Sequence, residues 1–369
     1  MRTEKKKLLV GAAALVLLGV LLYQFRNYLR HSHFTFAGVW SAVRSSNPRY
    51  ILLGIGLIYL CFALRALRWQ IFQKNLGKAE FWEIYRMTLA GFAALVVLGR
   101  PGEPVRPLLL SRKAKIPVAD MFGIYVLERL FDVVSSAVIA AIGLLLYSSQ
   151  EHAYGSAAII EKGARTAGGL LALGVIGIVG FLAYLRLHGG GLVERQLQVW
   201  VAAHGWRVKV AKIILGFVRG IQTIRTWRDL AEAAFLSAVH WYFVALAYLF
   251  VSHGFGGTLA QLSVSDSLLL LSITLVGSIL QLPAVGGGPQ ALSFFAYTQI
   301  FRVEEGPAAA AAVVVWLVTF ASCSFAGIPL LIHEGFSFGQ LREMAEHEKE
   351  QLAEEAVRGV TQERRGGDA

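Results

Sequence analysis

Two apolar stretches of this chain break on glycine and proline, and that interruption constrains the fold more than any other feature. Glu83–Leu98 runs into Gly99-Arg100-Pro101-Gly102. Leu268–Leu282 runs into Pro283-Ala284-Val285-Gly286-Gly287-Gly288-Pro289, and Gln290–Phe301 returns. Around these lie the apolar runs Leu8–Gln24, Tyr50–Leu64, Met121–Tyr147, Gly168–Leu187, Ala231–Val251 and Ala308–Ile332. Several approach the ~20 residues that cross a hydrocarbon core. Lipid offers the backbone no hydrogen-bond partner, so spanning segments are helices. Irregular backbone at depth survives only where protein or water satisfies it. The expected fold is therefore all-α and polytopic: six full spans plus two re-entrant helical hairpins, or else eight plain spans.

Composition supports the membrane class. Only 16% of the 369 residues are charged and 56% are hydrophobic, whereas a soluble domain carries nearer ~25% charged. The net charge of +11 fits basic loops facing anionic lipid better than it fits nucleic acid. Cys61 and Cys323 both fall in apolar runs, so they suggest packing rather than a disulfide or metal site. No phosphate-binding GxxxxGK[ST] loop, HExxH or GxSxG occurs, which argues against an ATPase and the familiar hydrolases. No cofactor and no metal are expected.

Charge placement suggests an orientation. Arg2, Lys5, Lys6 and Lys7 precede the first run, and no small-residue cleavage site follows it. An uncleaved first span with a cytoplasmic N-terminus is expected. Phe34, Phe36, Val39, Trp40 and Val43 make one helical face suited to the membrane surface, although the arginines of 25–49 would then lie outside. Arg65, Arg68, Trp69, Lys74 and Lys78 mark a cytoplasmic interface, and 188–230 is the clearest basic cytoplasmic loop. Residues 336–369 read as a polar cytoplasmic tail. His240 in the fifth span reads as packing or an interfacial anchor.

The chain also divides into two comparable halves, about 1–150 and 165–335. The separation from Tyr50 to Gly99 matches that from Ala231 to Pro283 within three residues. Gly/Pro-interrupted segments at matching positions in oppositely oriented halves point to a transport site. An inverted repeat within a 1–335 transmembrane domain is the expectation.

The charged stretch Gly99–Asp132 lies between these runs. Charges at membrane depth cost roughly 2.5–3.5 kcal/mol each on insertion scales and are usually functional. Arg100, Arg106, Arg112 and Arg129 are candidates to face one cavity. Arginine is always charged and forks onto phosphate oxygens. Glu128 and Asp132 stand one helical turn apart and repel. Arg129 relieves one, and Arg106 or Arg112 is the candidate for the other. A purely structural ion network is the competing account. The hinge or gate candidates are Gly99, Pro101, Gly102, Pro283, Gly286, Gly287, Gly288 and Pro289.

GRPGEPVRPLLLSRK followed by VLERLFD resembles the signature of the lysylphosphatidylglycerol synthase transmembrane, or flippase-like, family. That family includes the membrane half of the bacterial multiple peptide resistance factor. Gly99, Arg100, Gly102, Glu103, Arg106, Glu128, Arg129 and Asp132 occupy the matching positions. In the second motif Pro283, Gly286 and Gly287 fit. Val285 stands where a proline is usual, and no acid follows until Glu304. The resemblance implies movement of a lipid with a polar headgroup between leaflets of the bacterial inner membrane. Without an aminoacyl-transfer domain, lipid synthesis is not expected.

The expected function is thus translocation of a phosphate-bearing lipid or lipid-linked headgroup. Arg100, Glu103, Arg106, Arg112, Glu128, Arg129 and Asp132 form the candidate substrate site. The expected partners are membrane lipids, with lipid-synthesis enzymes or a second copy of the chain as further partners. The rival readings are a membrane-embedded glycosyl- or phosphotransferase and a non-catalytic organiser of lipid synthesis.

Overall fold

The computed structural model describes residues 36–99, 102–149, 162–177, 180, 226–278, 281–282 and 286–334. The expected spans and loops within 1–35, 181–225 and 335–369 lie outside them, as do Arg100, Pro101 and Pro283.

Ten helices and one short ribbon are labelled here in chain order. The first half has α1 (Phe36–Ser45), α2 (Pro48–Gln73), α3 (Phe81–Leu98), α4 (Val105–Ala114) and α5 (Val118–Ser148). The second has α6 (Trp227–His253), α7 (Val264–Gly277), α8 (Gly288–Phe295), α9 (Glu305–Trp316) and α10 (Ser322–His333). Residues 162–177 are also helical. π-helical turns at Ala296–Ile300 and Leu317–Ala321 extend α8 and join α9 to α10. Five helical stretches are long and apolar enough to cross a membrane: Pro48–Gln73, Phe81–Leu98, Asp120–Ser148, Trp227–His253 and Glu305–His333. The protein is an all-helical, multi-pass membrane protein. Its one extended element among the described residues is a two-rung antiparallel ribbon, pairing Gln281 with Gly287 and Leu282 with Gly286.

Local chemistry sets the helix starts. Pro48 opens α2 behind Asn47, whose Oδ1 accepts from Arg49 N at 3.1 Å. Thr226 Oγ1 accepts from Asp229 N at the head of α6. Ser263 and Asp266 close a reciprocal capping box on α7. Helix α3 ends at Gly99, whose φ of 73° is open to glycine and costly to most other residues.

The centre of the fold is the antiparallel pair α2 and α6. Asn47 N donates to Gly254 O at one end, and Lys74 meets Asp229 at the other. Midway, Cys61 Sγ donates to His240 O, and His240 Nδ1 lies 3.3 Å from Cys61 O. His240 is therefore a buried tie between these helices.

Each half then folds back on itself. Arg106 of α4 lies against Gly91 of α3, and Gly102 packs on Ala94, so α3 and α4 run antiparallel. Thr274 and Ser293 hydrogen-bond at 2.8 Å, and Gly277 abuts Gly288, so α7 and α8 do the same. Helix α7 rises about 21 Å, short of the roughly 30 Å hydrocarbon core. The α3 arm packs on α10, and the α7 arm packs on α5. Both contacts need glycine. A Cβ on Gly327 would sit 2.3 Å from Leu89 O, and one on Gly143 would sit 2.7 Å from Leu268 Cβ.

Two sequence expectations shift. The second span does not end at Leu64 but continues to Gln73. Arg65, Arg68 and Trp69 are consequently buried inside the bundle rather than set at the interface. Residues 162–167, ahead of the run expected to begin at Gly168, are already helical.

Candidate functional site

Three helices bring their charges to one place. On α5, Glu128 and Asp132 are a turn apart, on one face with Arg129 beside them. On α2, Arg65 and Arg68 are three residues apart and share a face. Arg106 enters from the first turn of α4. Glu128 is fully buried, and Arg68, Arg106, Asp132 and Arg65 are nearly so.

The contacts interlock. Arg65 Nη1 donates to Glu128 Oε1 at 3.1 Å and to Asp132 Oδ2 at 2.9 Å. Arg68 Nη2 donates to Asp132 Oδ1 at 2.6 Å and to Glu128 Oε1 at 3.2 Å. Its Nη1 donates to Ser237 Oγ of α6 at 2.7 Å, which ties the network to the second half. Arg106 Nη2 donates to Glu128 Oε2 at 2.5 Å. Aromatic faces support the cations: Arg106 lies over Trp69 at 4.3 Å and Arg65 over Phe92 at 5.0 Å.

Arg129 differs from the other three. Its Nη2 stands 3.4 Å from Asp132 and 3.6 Å from Glu128, and its side chain is 38% exposed. Tyr125 lies under its guanidinium at 5.2 Å. Tyr125 in turn donates a hydrogen bond to the half-buried Glu103 carboxylate. Phe92, Leu95, Glu103, Arg106, Tyr125 and Arg129 line a cleft of about 20 Å³, room for roughly one water.

The charge balance is uneven. Four guanidiniums surround two carboxylates. Nε of Arg68, Arg106 and Arg129 is buried without an acceptor among the described residues. Buried ions normally occur paired because desolvation is costly. A buried excess of cation with spare donors is a chemical invitation to an anion.

The structure thus brings Glu103, Arg106, Glu128, Arg129 and Asp132 together. It places Arg112 elsewhere, exposed in the last turn of α4. The second cation for the acids is Arg106, and Arg65 and Arg68 join it. Those two escaped the sequence reading because basic residues beside Trp69 mimic an interfacial anchor. Their spacing on one face of an apolar helix was the available signal. Among the hinge candidates, Gly99 and Gly102 form the packed turn between α3 and α4. Gly286 and Gly287 pair in the ribbon, and Gly288 and Pro289 start α8. Around the α7–α8 arm the buried polar contacts are hydroxyl pairs: Thr274 with Ser293 at 2.8 Å, and Ser252 of α6 with Tyr297 at 2.7 Å.

Comparison with known proteins agrees with the sequence resemblance. The chain is 22% identical over 320 residues to a UPF0104 membrane protein of Methanothermobacter thermautotrophicus, covering 81% of this chain and 89% of that one. The profile of the lysylphosphatidylglycerol synthase transmembrane region matches residues 7–327. With most of its length inside that match, the chain belongs to the lysylphosphatidylglycerol synthase transmembrane family.

Proposed function

We propose that the protein translocates a phosphate-bearing lipid, or a lipid-linked headgroup, between leaflets of the inner membrane, with both termini cytoplasmic. The observation that carries this reading is the surplus of guanidinium over carboxylate beside a cleft that Arg129 reaches. Arg129 and Arg106 would meet the phosphate. Arg65, Arg68, Glu128 and Asp132 would hold those two in place. Broken α3–α4 and α7–α8 hairpins, packed reciprocally on α10 and α5, support an inverted repeat with the site in one half.

In the described conformation the cleft is too small for a headgroup. Glu103 and Tyr125 form its wall, and their hydrogen bond must part for a phosphate to enter. Gly102 is packed on Ala94, so side-chain rotation, with the turn held still, is the economical way to open it. With no nucleotide-binding loop in the sequence, the membrane potential is the proposed drive, worth about 2.3 kcal/mol per charge per 100 mV.

Reconstitution in liposomes with labelled phospholipid tests this. The wild type is expected to move label between leaflets without changing it chemically. Arg129→Gln is expected to lower the rate at least tenfold while unfolding normally, and Arg129→Lys to restore part of it. An Arg129→Gln protein that moves lipid at the wild-type rate overturns the site. Chemically altered lipid would favour the transferase reading.

A further inference from the structure

A second amphipathic site lies away from the ion network, on the flank of the central pair. Leu67, Gln70, Ile71 and Lys74 of the α2 side face Asp229, Glu232, Phe235 and Leu236 of α6 across a groove of about 440 Å³. That is the size range of small-ligand pockets. Its deeper end is apolar, and Leu67 and Phe235 are exposed. Its other end is polar, and it lies at the same end of the pair as the exposed Trp227. Tryptophan and basic residues mark the headgroup level of a membrane. The groove therefore grades from hydrocarbon chemistry to headgroup chemistry within two helical turns.

The polar end carries balanced charge. Lys74 Nζ lies 3.0 Å from Asp229 Oδ1, yet the lysine side chain is 60% exposed and the aspartate is buried. Asp229 also takes part in the helix start with Thr226. Lys74 thus keeps donors turned outward. Glu232 accepts from Arg228 Nε at 2.8 Å and stays 45% exposed. Two cations and two anions leave no net charge. Such a quartet has no preference for an anionic headgroup, and it matches a zwitterion that offers phosphate to Lys74 and ammonium to Glu232.

We propose that this groove seats one phospholipid with a zwitterionic, ammonium-bearing headgroup. The acyl chain lies along Ile71, Leu67, Phe235 and Leu236, the phosphate on Lys74 and the ammonium on Glu232. The site is a fixed lipid seat on the helix pair and is independent of the translocation cleft.

Native mass spectrometry of the detergent-solubilised protein, with equimolar phosphatidylethanolamine and phosphatidylglycerol added, tests the proposal. One phosphatidylethanolamine is expected to be retained in preference to phosphatidylglycerol. Lys74→Gln and Glu232→Gln are each expected to lower that retention by up to about fivefold, the most that one exposed ion pair is worth. Unfolding curves of each variant separate loss of the lipid seat from loss of the Lys74–Asp229 tie between α2 and α6, and Lys78→Gln, outside the groove, serves as the control. Equal retention of the two lipids, preference for the anionic one, no retention, or variants that hold lipid as the wild type does would each overturn it.

Discussion

Arg68 Nη2 lies 2.6 Å from Asp132 Oδ1, and the same guanidinium holds Ser237 at 2.7 Å. One side chain thereby joins α2, α5 and α6. Removing one partner of a buried pair strands the other, at a cost of about 3–5 kcal/mol. Arg68→Met is expected to destabilise the protein by about that much in thermal or denaturant unfolding. In an Asp132→Asn background the same change is expected to cost less, because the charge-assisted bond that it breaks is already weakened. A fully additive double variant would show that the two residues are not coupled.

The helix contacts at glycine make a graded test. Gly327→Ala forces its Cβ to within 2.3 Å of Leu89 O, an overpacking expected to cost about 1–3 kcal/mol. Gly56 has open space where a Cβ would go. Gly56→Ala is expected to be neutral or to stabilise by up to about 1 kcal/mol, because alanine favours the helix. The unfolding curve of Gly327→Ala should shift towards lower temperature, and that of Gly56→Ala should not.

Tyr125→Phe deletes the hydrogen bond to Glu103 and leaves the ring beneath Arg129. A loss of about 1 kcal/mol in stability is expected, together with faster lipid movement in liposomes if that bond closes the cleft. Unchanged or slower movement would remove Tyr125 and Glu103 from the role of gate.

Cys61 and Cys323 are buried at 2% and 0% exposure. Neither is expected to react with a maleimide in the folded protein, and both should label once it unfolds. Rapid labelling of either thiol in intact membranes would contradict the packing of α2 or α10.

The sequence carried the class, the two interrupted arms and the motif residues of α4 and α5, because hydropathy and helical spacing are local. The assembly around the carboxylates was less visible. Glu128 and Asp132 announced themselves by their repulsion, and Arg106 was one of two candidates to relieve it. Arg65 and Arg68 did not, since a long basic side chain at a span's end can snorkel to water just as well as turn inward. What decides is Ser237 and the carboxylates waiting across α6 and α5, and that is tertiary information. Arg112 erred the other way. It belongs to the basic motif by sequence, yet three helical turns of α4 end with it pointing outward.

The π turn at Leu317–Ala321 holds slack for everything downstream of it. An α-helical residue advances the chain by about 100°, and a π turn spends one residue more on the same rotation. Deleting one of the five would therefore tighten the coil to ordinary pitch and leave the closing segment at nearly its present angle. Gly327 would still face Leu89, and Glu334 would stay beside Lys113, 3.0 Å away. A deletion elsewhere in α9 or α10 has no such slack and would mis-gear the final segment.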